Sequence, residues 1–201
     1  MPDSLASRGM LVALLLSAVS IQAAPDTASP DCSYDLGAML ALDRDAFDQD
    51  MQGGWRILAR REGCEEAAAE LIREWRTEKR DHTPILYWHE GQMRAFAGQD
   101  QQAVDLFALT YRPARSDTAF GWNHYVDGSI AFLERDLEGL QEAIGRLRSV
   151  ERPDVTMTGP DGSPVKIDWP PNLRVLEAFE RCWDRGYAQA YGNSDCREPG
   201  A

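Results

Sequence analysis

Residues 88–107 have the sequence WHEGQMRAFAGQDQQAVDLF, and this stretch decides the fold. Apolar residues follow helical spacing on both sides of Gly98, and Pro84 stands where a helix would begin. Gly98 breaks the pattern, as glycine often does at the end of a helix. The stretch therefore predicts one helix from near Pro84 to Gly98 and a second from Gln101 to Leu109, joined as a hairpin.

Similar residues recur along the chain at intervals of 33 to 36. Trp55, Trp88 and Trp122 are 33 and 34 residues apart, and the Ala-Phe pair at 95–96 recurs at 131–132. A further set recurs after 35 residues, with Gly63, Ala68 and Ile72 matching Gly98, Ala103 and Phe107. A fixed period in this range is typical of stacked helical repeats.

The stretch resembles a tetratricopeptide unit. Gly91 occupies the small position of the first helix, Gly98 the turn, and Ala103 and Phe107 the small and aromatic positions of the second helix. The resemblance covers residues 53–148, although the flanking units fit less well. The competing interpretation is an irregular helical bundle.

The resemblance implies a binding surface on the first helices of successive units. In the register of the middle unit, Trp88 and Gln92 would lie toward that surface. Their counterparts in the next unit would be Asn123, His124 and Asp127. We therefore expect these five residues to bind a partner, although the tryptophans also suit a core.

The expected fold class is all-α, a short stack of antiparallel helical hairpins over residues 32–150. Residues 151–171 are rich in Pro, Gly and Asp and predict a loop or a small β-hairpin. Residues 172–201 predict a C-terminal capping helix and a tail, with Asn172 as the N-cap and Leu173, Leu176 and Phe179 on one face.

Residues 1–24 are typical of a secretory signal peptide. An uncharged apolar run follows Arg8 and ends at Ala23-Ala24. The run is short for a bilayer-spanning helix, which would be the alternative. Residues 25–31 would form a flexible leader, and the mature protein would be periplasmic or secreted.

Four cysteines lie outside this signal: Cys32, Cys64, Cys182 and Cys196. An even number in an exported chain favours disulfides, with three possible pairings. The sequence groups the cysteines into an N-terminal and a C-terminal pair. Zinc is disfavoured because no closely spaced Cys pair is present.

The chain is acidic, with 33 Asp and Glu residues against 21 Lys and Arg residues and a net charge of −12. Nucleic acids and anionic membranes are therefore unfavourable partners. The charge suits a cationic protein or peptide, or serves solubility alone.

We find no catalytic motif and expect no cofactor and no metal site. His89-Glu90 begins like a zinc-protease motif, but Met93 stands where the second histidine would be required. Asp43, Asp45, Asp48 and Asp50 lack the spacing of a calcium loop, so we interpret them as helix caps and a solvated face.

These observations predict an exported, non-catalytic helical scaffold that binds a protein or peptide. One alternative is an acidic inhibitor or immunity-type protein that blocks a cationic partner. A second is a hydrolase-like enzyme that uses His89 and His124.

Overall fold

The computed structural model describes residues 30–113, 117, 120–154, 156, 158, 162–165 and 167–198. In this part of the chain the regular structure is helical, which confirms the all-α class. The α-helices are α1 (Leu36–Ala41), α2 (Arg56–Ala59), α3 (Glu65–Lys79), α4 (Pro84–Phe96), α5 (Asp100–Ala108), α6 (Trp122–Glu134), α7 (Leu137–Arg148), α8 (Leu173–Arg181), α9 (Tyr187–Gly192) and α10 (Ser194–Arg197). A π-helical turn spans Asp45–Gln49. The predicted signal peptide, residues 1–24, lies outside the described residues.

Helices α4 and α5 form the hairpin that the sequence predicts. Pro84 occupies the first turn of α4, and Gly98 turns the chain with a φ of 74°. Gly91 lets the two helices approach, because a Cβ atom at this position would lie 2.7 Å from the Phe107 ring. Each helix from α3 to α8 packs against the next one along the chain.

Two apolar clusters fill the interior. The N-terminal cluster is centred on Phe47 and Trp75, whose rings stack 4.6 Å apart. The C-terminal cluster includes Trp88, Phe132 and Phe179. Ile85 and Phe96 of α4 pack against both clusters, so α4 joins the two halves of the fold.

Residues 32–64, predicted to form part of the helical stack, contain only short helices separated by turns. Helix α1 ends at Ala41, and Gly54 has a φ of 53°. A Cβ atom at Gly54 would lie 1.8 Å from the carbonyl oxygen of Phe47, so the chain turns back tightly on the π-helical turn here. Local apolar spacing does not encode this tertiary approach.

Both cysteine pairs are disulfides, Cys32–Cys64 and Cys182–Cys196. The first joins the segment preceding α1 to the start of α3. The second joins the end of α8 to the buried Cys196 in α10. Disulfides are typical of proteins that fold in an oxidising compartment.

The C-terminal region differs from its prediction in two respects. Asn172 is the N-cap residue of α8, as predicted, but it has a φ of 65° and its side chain makes no capping hydrogen bond. Helix α8 is followed by α9 and α10 and is therefore not the last helix. Between α7 and α8, an isolated antiparallel bridge joins Thr158 to Pro164. Within the segment predicted to be a loop or a small β-hairpin, Val155, Met157 and Lys166 lie outside the described residues.

No helix in the described ranges is long and apolar enough to cross a membrane.

Candidate functional site

An open cleft of about 280 Å³ lies between α6 and α7, bordered by the segment that follows α5. Its lining combines four ionisable carboxylate or guanidinium groups with one phenol and small or apolar side chains. The lining residues are Tyr111, Asp127, Ile130, Ala131, Glu134, Asp136, Gly139 and Arg146.

Asp127 is the centre of the polar contacts in this cleft. The Tyr111 hydroxyl donates to Asp127 Oδ1 over 2.7 Å, and Arg146 Nη2 donates to Oδ2 over 3.3 Å. His124 Nδ1 lies 3.9 Å from the same Oδ2. The Asp127 side chain keeps 33% of its surface exposed, so solvent and ligands can reach it.

The charge of the cleft is negative. Asp127, Glu134 and Asp136 contribute three carboxylates, whereas Arg146 contributes one guanidinium, and Glu142 binds that same guanidinium over 3.1 Å. Burial, followed by the hydrogen bond to Asp127, raises the pKa of the Tyr111 hydroxyl. Tyr111 therefore stays neutral and donates to Asp127 at physiological pH.

The structure separates the five predicted binding residues. Asp127 lines the cleft, and His124 does not line it but lies 3.9 Å from Asp127. Asn123 lies nearby, but its amide already pairs with both the N–H and the carbonyl of Arg112, over 2.8 and 2.9 Å. Gln92 is half-buried on α4. Trp88 is only 4% exposed, so its predicted position on an open face is wrong.

Trp88 is a core residue because aromatic rings enclose it. Its ring stacks on Phe107 at 4.2 Å and meets Trp122 and Tyr125 at 4.8 and 4.9 Å. The tryptophan spacing in the sequence therefore reflects packing between successive helices and not a binding surface.

A second polar centre forms where the π-helical turn meets α4. Asp48 is fully buried and accepts hydrogen bonds from Trp55 Nε1 over 2.9 Å and from His89 Nδ1 over 2.7 Å. Gln49 donates to its other oxygen over 2.5 Å. The Arg56 guanidinium lies 4.3 Å above the Trp55 ring.

The contacts of Asp48 determine its charge and the orientation of His89. Burial favours the neutral acid, but the hydrogen bonds from His89, Trp55 and Gln49 outweigh it and lower the pKa of Asp48. An ionised Asp48 accepts from Nδ1 of His89, which leaves Nε2 as the acceptor in the neutral imidazole. In the described part of the chain no hydrogen bond engages Nε2.

The interpretation of the aspartates at 43–50 as caps and a solvated face holds for Asp43, whose carboxylate accepts from the Ala46 N–H over 2.8 Å. It is wrong for Asp48, which is buried and pairs with a residue 41 positions away. Sequence reasoning also missed Tyr111, Glu134 and Arg146, because only the packing of α6 on α7 brings them together. No local pattern in the sequence marks either arrangement.

Among the described residues, no group of three or more His, Cys, Asp or Glu side chains is placed to hold a metal ion. His89 and His124, the two histidines of the predicted enzyme alternative, approach different aspartates. His89 pairs with Asp48, and His124 lies near Asp127.

No protein-family model, no curated protein and no solved structure matches this chain.

Proposed function

We propose that this protein is an exported helical scaffold that binds a cationic protein or peptide segment in the cleft between α6 and α7. The observation that carries the proposal is the excess of carboxylates over guanidinium groups in this cleft. Export to the periplasm or the cell exterior is supported by the two disulfides and by the signal-like residues 1–24.

The cleft has both of the features that an extended basic segment requires. Its carboxylates attract Lys and Arg side chains, and the charge of −12 on the whole chain increases the rate of encounter. The ring of Tyr111, a lining residue that is 43% exposed, supplies contact area. The hydrogen bond from Tyr111 fixes Asp127 before a ligand arrives.

We further propose that the stack is tetratricopeptide-like. The close approach of Gly91 to Phe107 and the turn at Gly98 support this relationship. In such a stack, the cleft would lie within one hairpin, formed by α6 and α7, and not on the face shared by successive first helices.

The binding proposal is tested with a Lys- and Arg-rich peptide and a matched peptide in which Asp and Glu replace the basic residues. We expect the disulfide-bonded protein to bind only the basic peptide, with affinity that falls as salt rises. Glu134→Gln combined with Asp127→Asn should weaken binding by about tenfold. Fluorescence anisotropy with a labelled peptide measures these affinities.

Glu138→Gln combined with Asp105→Asn provides the matched control, because it removes the same charges outside the cleft. It should change the affinity by less than about twofold. Equal losses from both double variants would show that the net charge alone attracts the peptide, and would overturn the proposed site. Thermal melts of both variants exclude unfolding as the cause.

A second candidate function is acid–base catalysis at His89, favoured by its hydrogen bond to the buried Asp48. A carboxylate that fixes Nδ1 leaves Nε2 oriented to accept a proton from water or from a hydroxyl group. A hydrolase of this kind would lose its activity in His89→Gln, whereas His124→Gln would retain it. Screening the purified protein against ester, amide and phosphodiester substrates tests this alternative.

A further inference from the structure

A second cleft, of about 420 Å³, lies near the C-terminal end of the described residues, where α10 packs on α8. It is lined by Arg174, Glu177, Arg181, Arg197 and Glu198. The Cys182–Cys196 disulfide is adjacent in sequence to two of these arginines, and its Cα atoms are 5.7 Å apart. The crosslink therefore fixes Arg181 and Arg197 beside each other.

Backbone carbonyl groups orient both guanidinium groups. Arg181 donates from Nε to the carbonyl of Cys196 over 2.6 Å and from Nη2 to the carbonyl of Arg197 over 3.0 Å. Arg197 donates from Nε to the carbonyl of Tyr191 over 2.7 Å and lies 4.7 Å above the Tyr191 ring. These contacts fix the side chains, but they are made to neutral groups and supply no counter-charge.

No carboxylate of the described residues lies within 4.0 Å of the nitrogen atoms of Arg181 or Arg197. Two carboxylates, Glu177 and Glu198, also line the cleft. Glu177 pairs with Arg148 over 2.8 Å, and Glu198 forms no ion pair with either arginine. In a chain with 33 acidic residues, two adjacent arginines without an ion-pair partner are unexpected. An anion bound in the cleft would supply the counter-charge that these two arginines lack.

We propose that Arg181 and Arg197 bind a phosphate group, either free or esterified in a small molecule. A phosphate carries between one and a half and two negative charges at neutral pH and so matches the two arginines, whereas a monocarboxylate matches one. The Nη groups that remain to these arginines suit several charge-assisted hydrogen bonds to its oxygens. Arg174 also lines the cleft, but its charge is offset by Asp168, which lies 3.4 Å away.

Isothermal titration calorimetry on the disulfide-bonded protein at low salt tests this site with three probes: inorganic phosphate, glycerol phosphate and acetate. We expect inorganic phosphate to bind and acetate to bind at least about tenfold more weakly. Binding of glycerol phosphate as tightly as inorganic phosphate would indicate an ester ligand, and weaker binding would indicate the free ion. Absence of phosphate binding, or equal binding of acetate, would overturn the proposal.

Arg197→Gln should weaken phosphate binding by about tenfold, as expected for the loss of charge-assisted hydrogen bonds. Arg185→Gln is the matched control, because Arg185 is exposed on the same segment and does not line the cleft. It should change the affinity by less than about twofold. Equal losses in the two variants would indicate general charge attraction and would refute the site.

Arg197→Lys keeps the test decisive if Arg197→Gln fails to fold. The lysine retains the charge but lacks the guanidinium fork, so binding should still weaken. Full retention of phosphate affinity by a folded Arg197→Lys protein would contradict the proposed geometry.

Discussion

Asp48 and Asp127 each approach a histidine, yet the two regions around them differ in almost every other respect. Asp48 is fully buried and bonds to His89 over 2.7 Å, whereas Asp127 is one-third exposed and lies 3.9 Å from His124. The first carboxylate has its donors supplied by the protein. The second accepts from Tyr111 and Arg146 but is also open to solvent. Glu134 and Asp136 add negative charge to the cleft around it.

This difference shows that burial, and not residue type, determines what an aspartate–histidine pair can do. A buried carboxylate must keep its partners, because an unpaired charge in the interior is costly. It therefore stabilises one conformation and fixes the imidazole. An exposed carboxylate can exchange its partners at little cost, which suits reversible binding.

The largest expected effect separates the two aspartates by stability. Asp48→Ala should lower the free energy of unfolding by about 3–5 kcal/mol, because it leaves Trp55 Nε1 and His89 without their acceptor. Asp127→Ala, at an exposed position, should cost less than about 1 kcal/mol. Urea unfolding monitored by circular dichroism measures both values, and equal losses would remove the distinction between the two regions.

Trp88 on α4 and His124 on α6 extend the comparison of buried and exposed positions. Trp88→Ala should cost about 3–5 kcal/mol, because its ring is enclosed by Phe107, Trp122 and Tyr125. His124→Ala, near the cleft, should leave the fold intact. A folded Trp88→Ala protein with near-normal stability would show that the ring is not part of the core. Thermal unfolding of both variants provides the measurement.

Acid titration sharpens the comparison through Asp48. Its pKa is lower in the folded protein than the value near 4 of an unfolded chain. Asp48 therefore contributes stability above about pH 4, and the contribution is lost as the pH falls through its folded pKa. Asp48→Asn should flatten the dependence of unfolding free energy on pH in this acid range, whereas Tyr111→Phe, which retains Asp48, should not. An unchanged slope in Asp48→Asn would contradict this assignment.

The smallest effect is expected at Tyr111. Tyr111→Phe removes one hydrogen bond to Asp127 at a partly exposed site, which should cost about 0.5 kcal/mol of stability. The same change should alter affinity for a basic peptide more clearly, since Asp127 loses the donor that orients it. Parallel urea unfolding and anisotropy measurements compare the two quantities, and a stability loss as large as that of Asp48→Ala would contradict the open character of the cleft.

The helices of the middle region were predictable because their signals are local. Pro84 begins α4, and Gly98 lies in the turn between α4 and α5. The disulfide pairs followed the grouping of cysteines along the chain. The Asp48–His89 pair was not predictable, because 41 residues separate its members and no spacing rule relates a π-helical turn to a later helix.

The candidate cleft was predictable only in part. Asp127 and His124 were placed by the repeat register, but the same register also selected Trp88, which is buried. Helical periodicity identifies residues on one face of a helix, yet it does not show which neighbouring helix covers that face. Tyr111 and Arg146 reach Asp127 from an irregular segment and from the next helix, and neither carries a periodic signal.

The sequence by itself determined the helical class and the positions of the central helices, because these depend on residues close together along the chain. It favoured disulfides and grouped the cysteines into two pairs, but the structure selected one of the three possible pairings. Tertiary structure decided which charges are buried and which remain open. Asp48 and Asp127 are the same residue type, and the sequence around Asp48, with Asp43, Asp45 and Asp50, is the more polar of the two. Only the packing of α4 on the π-helical turn, and of α7 on α6, buries the first and leaves the second one-third exposed.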